Sequence, residues 1–381
     1  MDKRFFQTTG LNQTGHYKNM PFADYLEEMR STILSARHFI PEEHEKLASL
    51  NSPYALPNEE RPKKGLLMIH GLLETPFITR DLASHFNKEG FEVRSILLPG
   101  HGTVPADLLN VSYEAWIDTV KYAIRDFQKT TDDIYLCGIS TGGMLAINEA
   151  IDNDEIRGLF LLAPANQMKT GLKIFSPFVS LHKYLCRIFP FLKWLGKFPE
   201  NDSMKYQTCA VNGGIQLYKL TKHVNERLAQ KKLKTPIWMA VTADDETLNS
   251  KASIDFFHQQ THPDNRLLIF TNKNNHYKMH NIECVKSAVP DENIVNVSHL
   301  GIANSPENTH YGKDGDYTVL CHRNIKADRP VFGAINDAEK LWRDTKGKVK
   351  TKHDALYRLH YNPHFDKMTE SISAFLKNFD L

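Results

Sequence analysis

Apolar residues along this chain occur in short runs that alternate with stretches of helical periodicity. The runs predict strands at 65–71, 91–98, 133–138, 156–163, 236–243, 266–271 and 293–297. Apolar spacing of three and four residues predicts helices at 21–37, 75–89, 113–129, 141–151, 250–260 and 366–378. Strands that alternate with helices in this way predict an α/β fold, in which helices cover both faces of a mostly parallel sheet.

The alternation also divides the chain into regions. They are an N-terminal extension (1–62), a core (63–165 and 232–381), a helical cap that interrupts the core (166–231) and an insertion within the core (301–363). Pro53 and Pro57 predict an irregular end to the extension. We expect the extension to pack on the main domain as a strap.

Composition narrows the class of protein. Of 381 residues, 41% are apolar and 24% are charged, with a net charge of +2, so a mostly disordered chain is excluded. The balanced charge gives no argument for a nucleic-acid partner. Five cysteines without a C-x-x-C pair favour free thiols, and the polar N-terminus does not resemble a signal peptide. We therefore expect a cytoplasmic protein with no metal site.

The strongest chemical signal is a G-x-S-x-G pattern centred on Ser140, between a predicted strand and a predicted helix. A nucleophile on such a sharp turn needs small neighbours if its hydroxyl is to stand clear of the backbone. The helix that follows offers the Thr141 N–H to a developing oxyanion, and Leu72, after His70 and Gly71, offers a second N–H. His70 is expected to shape this loop and not to transfer protons.

Three motifs in order carry a resemblance to a known superfamily. They are His70-Gly71, Leu98-Pro99-Gly100-His101-Gly102 and Gly138-Ile139-Ser140-Thr141-Gly142-Gly143. Together they resemble the α/β-hydrolase superfamily, and most closely its monoglyceride lipase, lysophospholipase and carboxylesterase branches. The resemblance implies the α/β-hydrolase fold, a Ser140 nucleophile, a structural His101, and an acid and then a histidine later in the chain.

The acid is expected directly after the strand at 236–243. Relatives carry an aliphatic residue three positions after the acid, which Asp245 and Leu248 reproduce. Asp244 would place Thr247 there and is the less favoured choice. Asp245 would orient the catalytic imidazole and stabilise its charged form.

Three histidines compete for the role of general base. His299 ends the predicted strand at 293–297 and is our choice, since ligands collect at the carboxyl ends of parallel strands. His276 lies 31 positions after Asp245, and His364 opens the last helix, so both stay open. His310 is expected to shape a loop. His276 and His280 lack a third metal ligand nearby.

The section 169–199 of the cap is both basic and aromatic. It carries no acidic residue, and its basic residues are Lys169, Lys173, Lys183, Arg187, Lys193 and Lys197. Such a surface suits an acyl chain with an anionic headgroup, or contact with an anionic membrane. We expect a cofactor-independent esterase or lipase-like enzyme for monoacylglycerols, lysophospholipids or similar esters. Alternatives are a thioesterase, an acyltransferase, or a silent hydrolase fold used for binding.

Overall fold

The computed structural model describes residues 2–15, 17, 19–40, 44–59, 63–167, 182–245, 248–273, 280–318, 331–333 and 356–377. The chain forms two compact units, Met1–Phe160 with Thr170–Thr235, and Leu161–Lys169 with Pro236–Leu381. The described ranges contain no helix that is both long and apolar enough to cross a membrane.

The first unit holds most of the elements expected from periodicity. Its described helices are α1 (Phe22–Ala36), α2 (His44–Asn51), α3 (Arg80–Lys88), α4 (Tyr113–Phe127), α5 (Thr141–Ala150), α6 (His182–Ile188) and α7 (Val211–Gln230). Its described strands are β1 (Tyr54–Leu56), β2 (Lys64–Ile69), β3 (Phe91–Ile96), β4 (Asp133–Ile139), β5 (Ile156–Leu162, which ends in the second unit), β6 (Trp194–Gly196) and β7 (Cys209–Ala210).

The sheet of the first unit is centred on β2. It runs in the order β1-β3-β2-β4-β5, and β2 pairs in parallel with both β3 and β4. The run Leu66–Ile69 is fully buried, which explains its continuous apolar sequence. The expectation of an irregular stretch after Pro53 is wrong in part, because Tyr54–Leu56 pairs antiparallel with β3. A three-residue edge strand is too short to show an alternating pattern.

The N-terminal extension packs on the first unit through its helix. The buried face of α1 consists of Phe22, Tyr25, Met29, Ile33 and Ala36. The hydroxyl of Tyr25 accepts from the Leu97 N–H at 3.0 Å. The buried guanidinium of Arg37 donates to the carbonyl oxygens of Thr103 at 2.9 Å and Ser203 at 2.8 Å. This segment thus holds the loop after β3, which carries His101.

The described part of the second unit contains a parallel sheet and includes the helices α8 and α9. The elements are β8 (Ile237–Thr242), α8 (Ser250–His258), β9 (Arg266–Thr271), β10 (Ile282–Lys286), β11 (Val331–Gly333), β12 (Leu356–Arg358) and α9 (Phe365–Leu376). β9 pairs in parallel with both β8 and β10. β11 and β12 form a separate parallel pair. The carboxyl ends of β8 and β9 therefore lie at one edge of the sheet.

The predicted strand at 293–297 is wrong, and β10 takes the place expected for it. β10 has one buried residue, Val285, among partly or fully exposed ones, so no apolar run marks it. Ile294 forms only an isolated bridge with Val289. Val297 is buried because its loop is tied by side chains: its N–H donates to Ser287 Oγ at 2.8 Å, and its carbonyl accepts from Thr242 Oγ1 at 2.9 Å.

Candidate active site

Ser140 occupies a strained turn between β4 and α5. Its φ of 52° and ψ of −109° lie outside the ordinary regions for a residue with a side chain. A Cβ atom on Gly138 would lie 2.3 Å from the Gly142 carbonyl oxygen, and one on Gly142 would lie 2.1 Å from the Ile69 carbonyl oxygen. Only glycine fits at either position, which gives the sequence pattern its physical reason. The turn holds Ser140 partly exposed at the carboxyl end of β4.

The loop after β2 lies beside Ser140. A Cβ atom on Gly71 would lie 3.3 Å from Ser140 Cβ. Leu73, with φ of 72°, has both backbone groups occupied: its N–H donates to His101 Nε2 at 3.1 Å, and its carbonyl accepts from the Tyr206 N–H at 2.8 Å. The Gly71 N–H donates to Glu74 Oε2 at 2.9 Å. The loop is thus held on both sides of Leu72.

The two backbone N–H groups expected to stabilise an oxyanion have no partner within the described part of the chain. The Leu72 N–H has no acceptor there, although its neighbours Gly71 and Leu73 both have one. The Thr141 N–H, at the first position of α5, also has no acceptor among these residues, and its buried hydroxyl has no hydrogen-bond partner. The loop of Leu72 lies beside Ser140, and Thr141 directly follows Ser140 in the chain.

His70 and His101 are structural. His70 Nε2 accepts from the Leu98 N–H at 3.1 Å, and Nδ1 donates to the Gly71 carbonyl at 2.8 Å. His101 Nε2 accepts from the Leu73 N–H, and Nδ1 donates to the Pro99 carbonyl at 3.1 Å. Burial lowers the pKa of His70 well below its usual range and that of His101 to about 4. Both nitrogens of each ring are thus in hydrogen bonds to the backbone, which agrees with the structural roles expected for these two histidines.

Asp245 and His299 form a buried pair. His299 Nδ1 lies 2.8 Å from Asp245 Oδ2, and the two residues are 5% and 2% exposed. The other carboxylate oxygen accepts from the Leu248 N–H at 2.7 Å. The bond fixes the carboxylate three positions before Leu248, whose side chain is buried. His299 opens a short 3-10 turn, His299–Gly301, and does not end a strand. Ser298 caps this turn by accepting from the Leu300 N–H at 3.3 Å.

The competing candidates lie elsewhere or fall outside the described residues. The His364 ring stacks on Phe270 at 6.0 Å between centroids, and its Nε2 lies 3.4 Å from the Ser287 carbonyl oxygen. Burial lowers the pKa of His364. The Asp244 N–H bonds to Thr242 Oγ1 at 3.4 Å. His276 lies outside the described residues.

Sequence reasoning missed two residues that hold the loop containing Leu72. Glu74 is buried, and its carboxylate accepts from the Gly71 N–H. The sequence places this carboxylate in an otherwise apolar loop, four positions after His70. That placement could have indicated that Glu74 is buried and hydrogen-bonded there. Tyr206 reaches the loop from a distant part of the chain through its backbone N–H. No local pattern marks such a contact.

Known proteins are similar to part of this chain. A family model described as serine aminopeptidase, S33, matches residues 60–277, which is more than half of the chain. The matched range includes Leu72, Ser140 and Asp245 and ends before His299. A thermostable monoacylglycerol lipase of Bacillus sp. (strain H-257) is 26% identical over 164 residues, 43% of this chain and 64% of that protein. The chain thus spans less than two thirds of that relative.

Two solved structures are also similar. The monoacylglycerol lipase of Paleococcus ferrophilus has 22% identity and a TM-score of 0.46, over 57% of this chain and 87% of that one. A soluble variant of monoglyceride lipase from Saccharomyces cerevisiae has 16% identity and a TM-score of 0.44, over 57% of this chain and 80% of that one.

Proposed function

Because the chain belongs to the serine aminopeptidase S33 family of α/β-hydrolases, we propose that it hydrolyses acyl esters through Ser140, His299 and Asp245. The observation that carries the proposal is the strained turn at Ser140, together with the buried pair of His299 and Asp245. The family membership confirms the resemblance drawn from the three glycine motifs.

The geometry of the pair supports the following roles. Asp245 accepts from His299 Nδ1, which leaves Nε2 as the basic nitrogen of the neutral ring. Nε2 takes the proton of the Ser140 hydroxyl while the oxygen attacks the acyl carbonyl. The N–H groups of Leu72 and Thr141 then stabilise the tetrahedral oxyanion, where each donor typically contributes about 10²–10³ in rate. His299 next protonates the leaving alcohol, and water hydrolyses the acyl-enzyme by the same route.

The cap favours an ester substrate over a peptide with a free amino terminus. An aminopeptidase must bind the α-ammonium of its substrate, for which a carboxylate is the natural partner. The section 169–199 offers six cations and no carboxylate. This charge pattern suits neutral or anionic acyl esters, such as monoacylglycerols and lysophospholipids.

A surface within the cap supports contact with an anionic membrane. We call it the aromatic surface and define it by its exposed members, Tyr184, Ile188, Phe189, Phe191, Leu195 and Phe198. All the exposed large apolar side chains of the described residues belong to this set. Lys197 lies within it, 5.5 Å from the Trp194 ring. Apolar side chains beside cations match the interface of an anionic bilayer.

Labelling with a fluorophosphonate probe tests the chemistry. The wild type is expected to be labelled, whereas Ser140→Ala is not, and His299→Ala loses labelling by at least 10³-fold. His364→Ala is the matched control and retains labelling. A panel of p-nitrophenyl esters and an aminoacyl p-nitroanilide then separates esterase from aminopeptidase activity. A folded wild type that reacts with neither the probe nor any substrate would favour a binding protein.

Flotation with liposomes tests the membrane contact. The wild type is expected to float with vesicles that contain phosphatidylglycerol and less with pure phosphatidylcholine. The double variant Phe191→Ser/Phe198→Ser removes two apolar side chains of the aromatic surface and should stay in the lower fraction. Equal flotation of the variant and the wild type would remove the proposed role of this surface.

A further inference from the structure

The residue beside the proposed oxyanion donor is held in a strained backbone conformation. Leu73 directly follows Leu72, and its φ of 72° is one that leucine rarely adopts. Such a conformation persists only where the surrounding structure holds it. His101 Nε2 accepts from the Leu73 N–H at 3.1 Å, and the Leu73 carbonyl accepts from the Tyr206 N–H at 2.8 Å. We call these two hydrogen bonds the loop clamps. The position of the Leu72 N–H therefore depends on where His101 and Tyr206 lie.

The turn that carries His101 is bound by the N-terminal extension through Asn12. The side-chain amide of Asn12 donates to the carbonyl oxygens of Leu98 at 3.1 Å and His101 at 2.9 Å. The Asn12 carbonyl accepts from the Gly100 N–H at 2.6 Å. Because one side chain joins the two ends of the turn, Asn12 fixes the direction in which the His101 ring leaves it.

The segment that ends at Tyr206 is bound by a second asparagine of the extension. Asn51, the last residue of α2, is fully buried. Its amide nitrogen donates to the Ser203 carbonyl at 3.1 Å, and its amide oxygen accepts from the Thr75 hydroxyl at 2.7 Å. The Thr75 hydroxyl also lies 2.9 Å from the Met204 carbonyl oxygen. Asn51 thus joins the loop to the segment that clamps it.

The two supports are connected by a third residue of the extension. The guanidinium of Arg37 donates both to the Thr103 carbonyl, beside the turn of the first clamp, and to the Ser203 carbonyl of the second support. The family match starts later in the chain than Asn12, Arg37 and Asn51. The polar contacts that hold both clamps therefore come from a part of this chain that the family model does not match.

We propose that Asn12 and Asn51 are positioning residues for the oxyanion donor at Leu72. They act through His101 and Tyr206, which hold the peptide beside the donor. An oxyanion donor contributes about 10²–10³ in rate, and a misplacement of about 1 Å can cost about 10²-fold. The oxyanion exists only in the transition state, so the loss falls on kcat and not on KM. This inference rests on the proposed function, to which it adds two residues of the extension.

Two esters that differ in one atom test the proposal. In p-nitrophenyl butyrate the carbonyl oxygen becomes the oxyanion, whereas p-nitrophenyl thionobutyrate carries sulfur there, which is a weaker hydrogen-bond acceptor. A variant with a misplaced donor therefore loses less rate on the thionoester. In Asn12→Gly and in Asn51→Ala, kcat for the oxygen ester is expected to fall at least about tenfold, with KM within about twofold. The fall for the thionoester should stay below about threefold.

The variants are chosen to separate positioning from general damage. Glycine adopts a φ of 48° without strain, so Asn12→Gly removes only side-chain bonds, and it decides the test if Asn51→Ala does not fold. Asn58→Ala is the matched control in the extension, since the Asn58 amide donates to the Asn87 carbonyl at 2.9 Å, near the end of α3. It should leave both rates unchanged. Asp245→Asn disables the base and should lower both rates alike. An equal loss on the two esters in Asn12→Gly and Asn51→Ala, or no loss on either, overturns the proposal.

Hydrogen exchange, followed by mass spectrometry, gives a readout that does not depend on hydrolysis. The Leu73 N–H is protected by its bond to His101. Asn12→Gly and Asn51→Ala are expected to speed its exchange at least about fivefold, while the amides of β4 keep their wild-type rates. This local increase supports the positioning role even if the wild type cleaves no ester, and only the proposed function is then wrong. Wild-type exchange at Leu73 in both variants overturns the positioning role even if the wild type is active.

Discussion

Replacing Asp245 by asparagine tests the proposed chemistry most sharply. The carboxylate now accepts two hydrogen bonds, from His299 Nδ1 at 2.8 Å and from the Leu248 N–H at 2.7 Å. An amide has only one oxygen, so Asp245→Asn can satisfy only one of them. If the oxygen stays with Leu248, the amide NH₂ faces Nδ1 and forces the proton onto Nε2. That tautomer cannot accept the proton of Ser140.

The alternative orientation is also costly. If the amide oxygen turns to His299, the buried Leu248 N–H faces an NH₂ group and loses its acceptor, at a cost of about 1–3 kcal/mol. The corresponding substitution in the Ser-His-Asp template lowers kcat about 10⁴-fold, which is equivalent to about 5 kcal/mol. Because the second orientation leaves the Leu248 N–H without an acceptor, we expect the first orientation to dominate. We therefore expect kcat to fall about 10³–10⁴-fold with little change in KM.

The assay is the steady-state hydrolysis of p-nitrophenyl butyrate, with thermal unfolding to show that each variant is folded. Asp244→Asn is the matched control, because it removes the same charge one residue away, and it should keep kcat within a few-fold of the wild type. The reasoning is refuted if Asp245→Asn retains more than a tenth of the wild-type kcat. It is equally refuted if Asp244→Asn loses as much activity as Asp245→Asn.

Three further predictions concern stability and local geometry. Ser140→Gly relieves the positive φ and should raise the free energy of unfolding by about 1 kcal/mol in thermal melts, while activity is abolished. His101, with a pKa lowered to about 4, is neutral when folded but binds a proton near its usual pKa when unfolded. The contribution of His101 to the free energy of unfolding is therefore fully present above pH ~6.5 and falls by up to ~3 kcal/mol towards pH 4. His101→Gln should reduce this dependence of the unfolding free energy on pH, measured by urea titrations. Gly142→Ala places a methyl group on the Ile69 carbonyl and should abolish labelling by a fluorophosphonate, whereas normal labelling would contradict the close approach.

Much of the candidate site was readable from the sequence because its parts are local. The glycines around Ser140 predict a sharp turn, and the structure gives the reason, since a side chain at Gly138 or Gly142 would overlap backbone atoms. The spacing of Asp245 and Leu248 predicts a positioned carboxylate, and the bond from the Leu248 N–H supplies it. Each signal depends on a few adjacent residues, so no knowledge of distant contacts was needed.

The choice among histidines could not be made in this way. His299 begins a short 3-10 turn, and His364 directly precedes the last helix, so both lie at the start of a helical element. Only the folded chain shows that His299 lies against Asp245, 54 positions earlier, while His364 stacks on Phe270. The failed strand at 293–297 has a related cause. Ile294 and Val297 are buried by side chains from other segments. In the sequence, buried apolar residues of a loop form the same pattern as those of a strand.

By itself, the sequence determined the alternating strands and helices around Ser140, the turn that carries this residue and the identity of its glycines, because periodicity and backbone sterics act over short distances. Tertiary structure alone decided which imidazole meets the carboxylate and how Glu74 and Tyr206 hold the loop of Leu72. These relations depend on packing between segments far apart in the chain, and no local pattern encodes which of several similar side chains will meet.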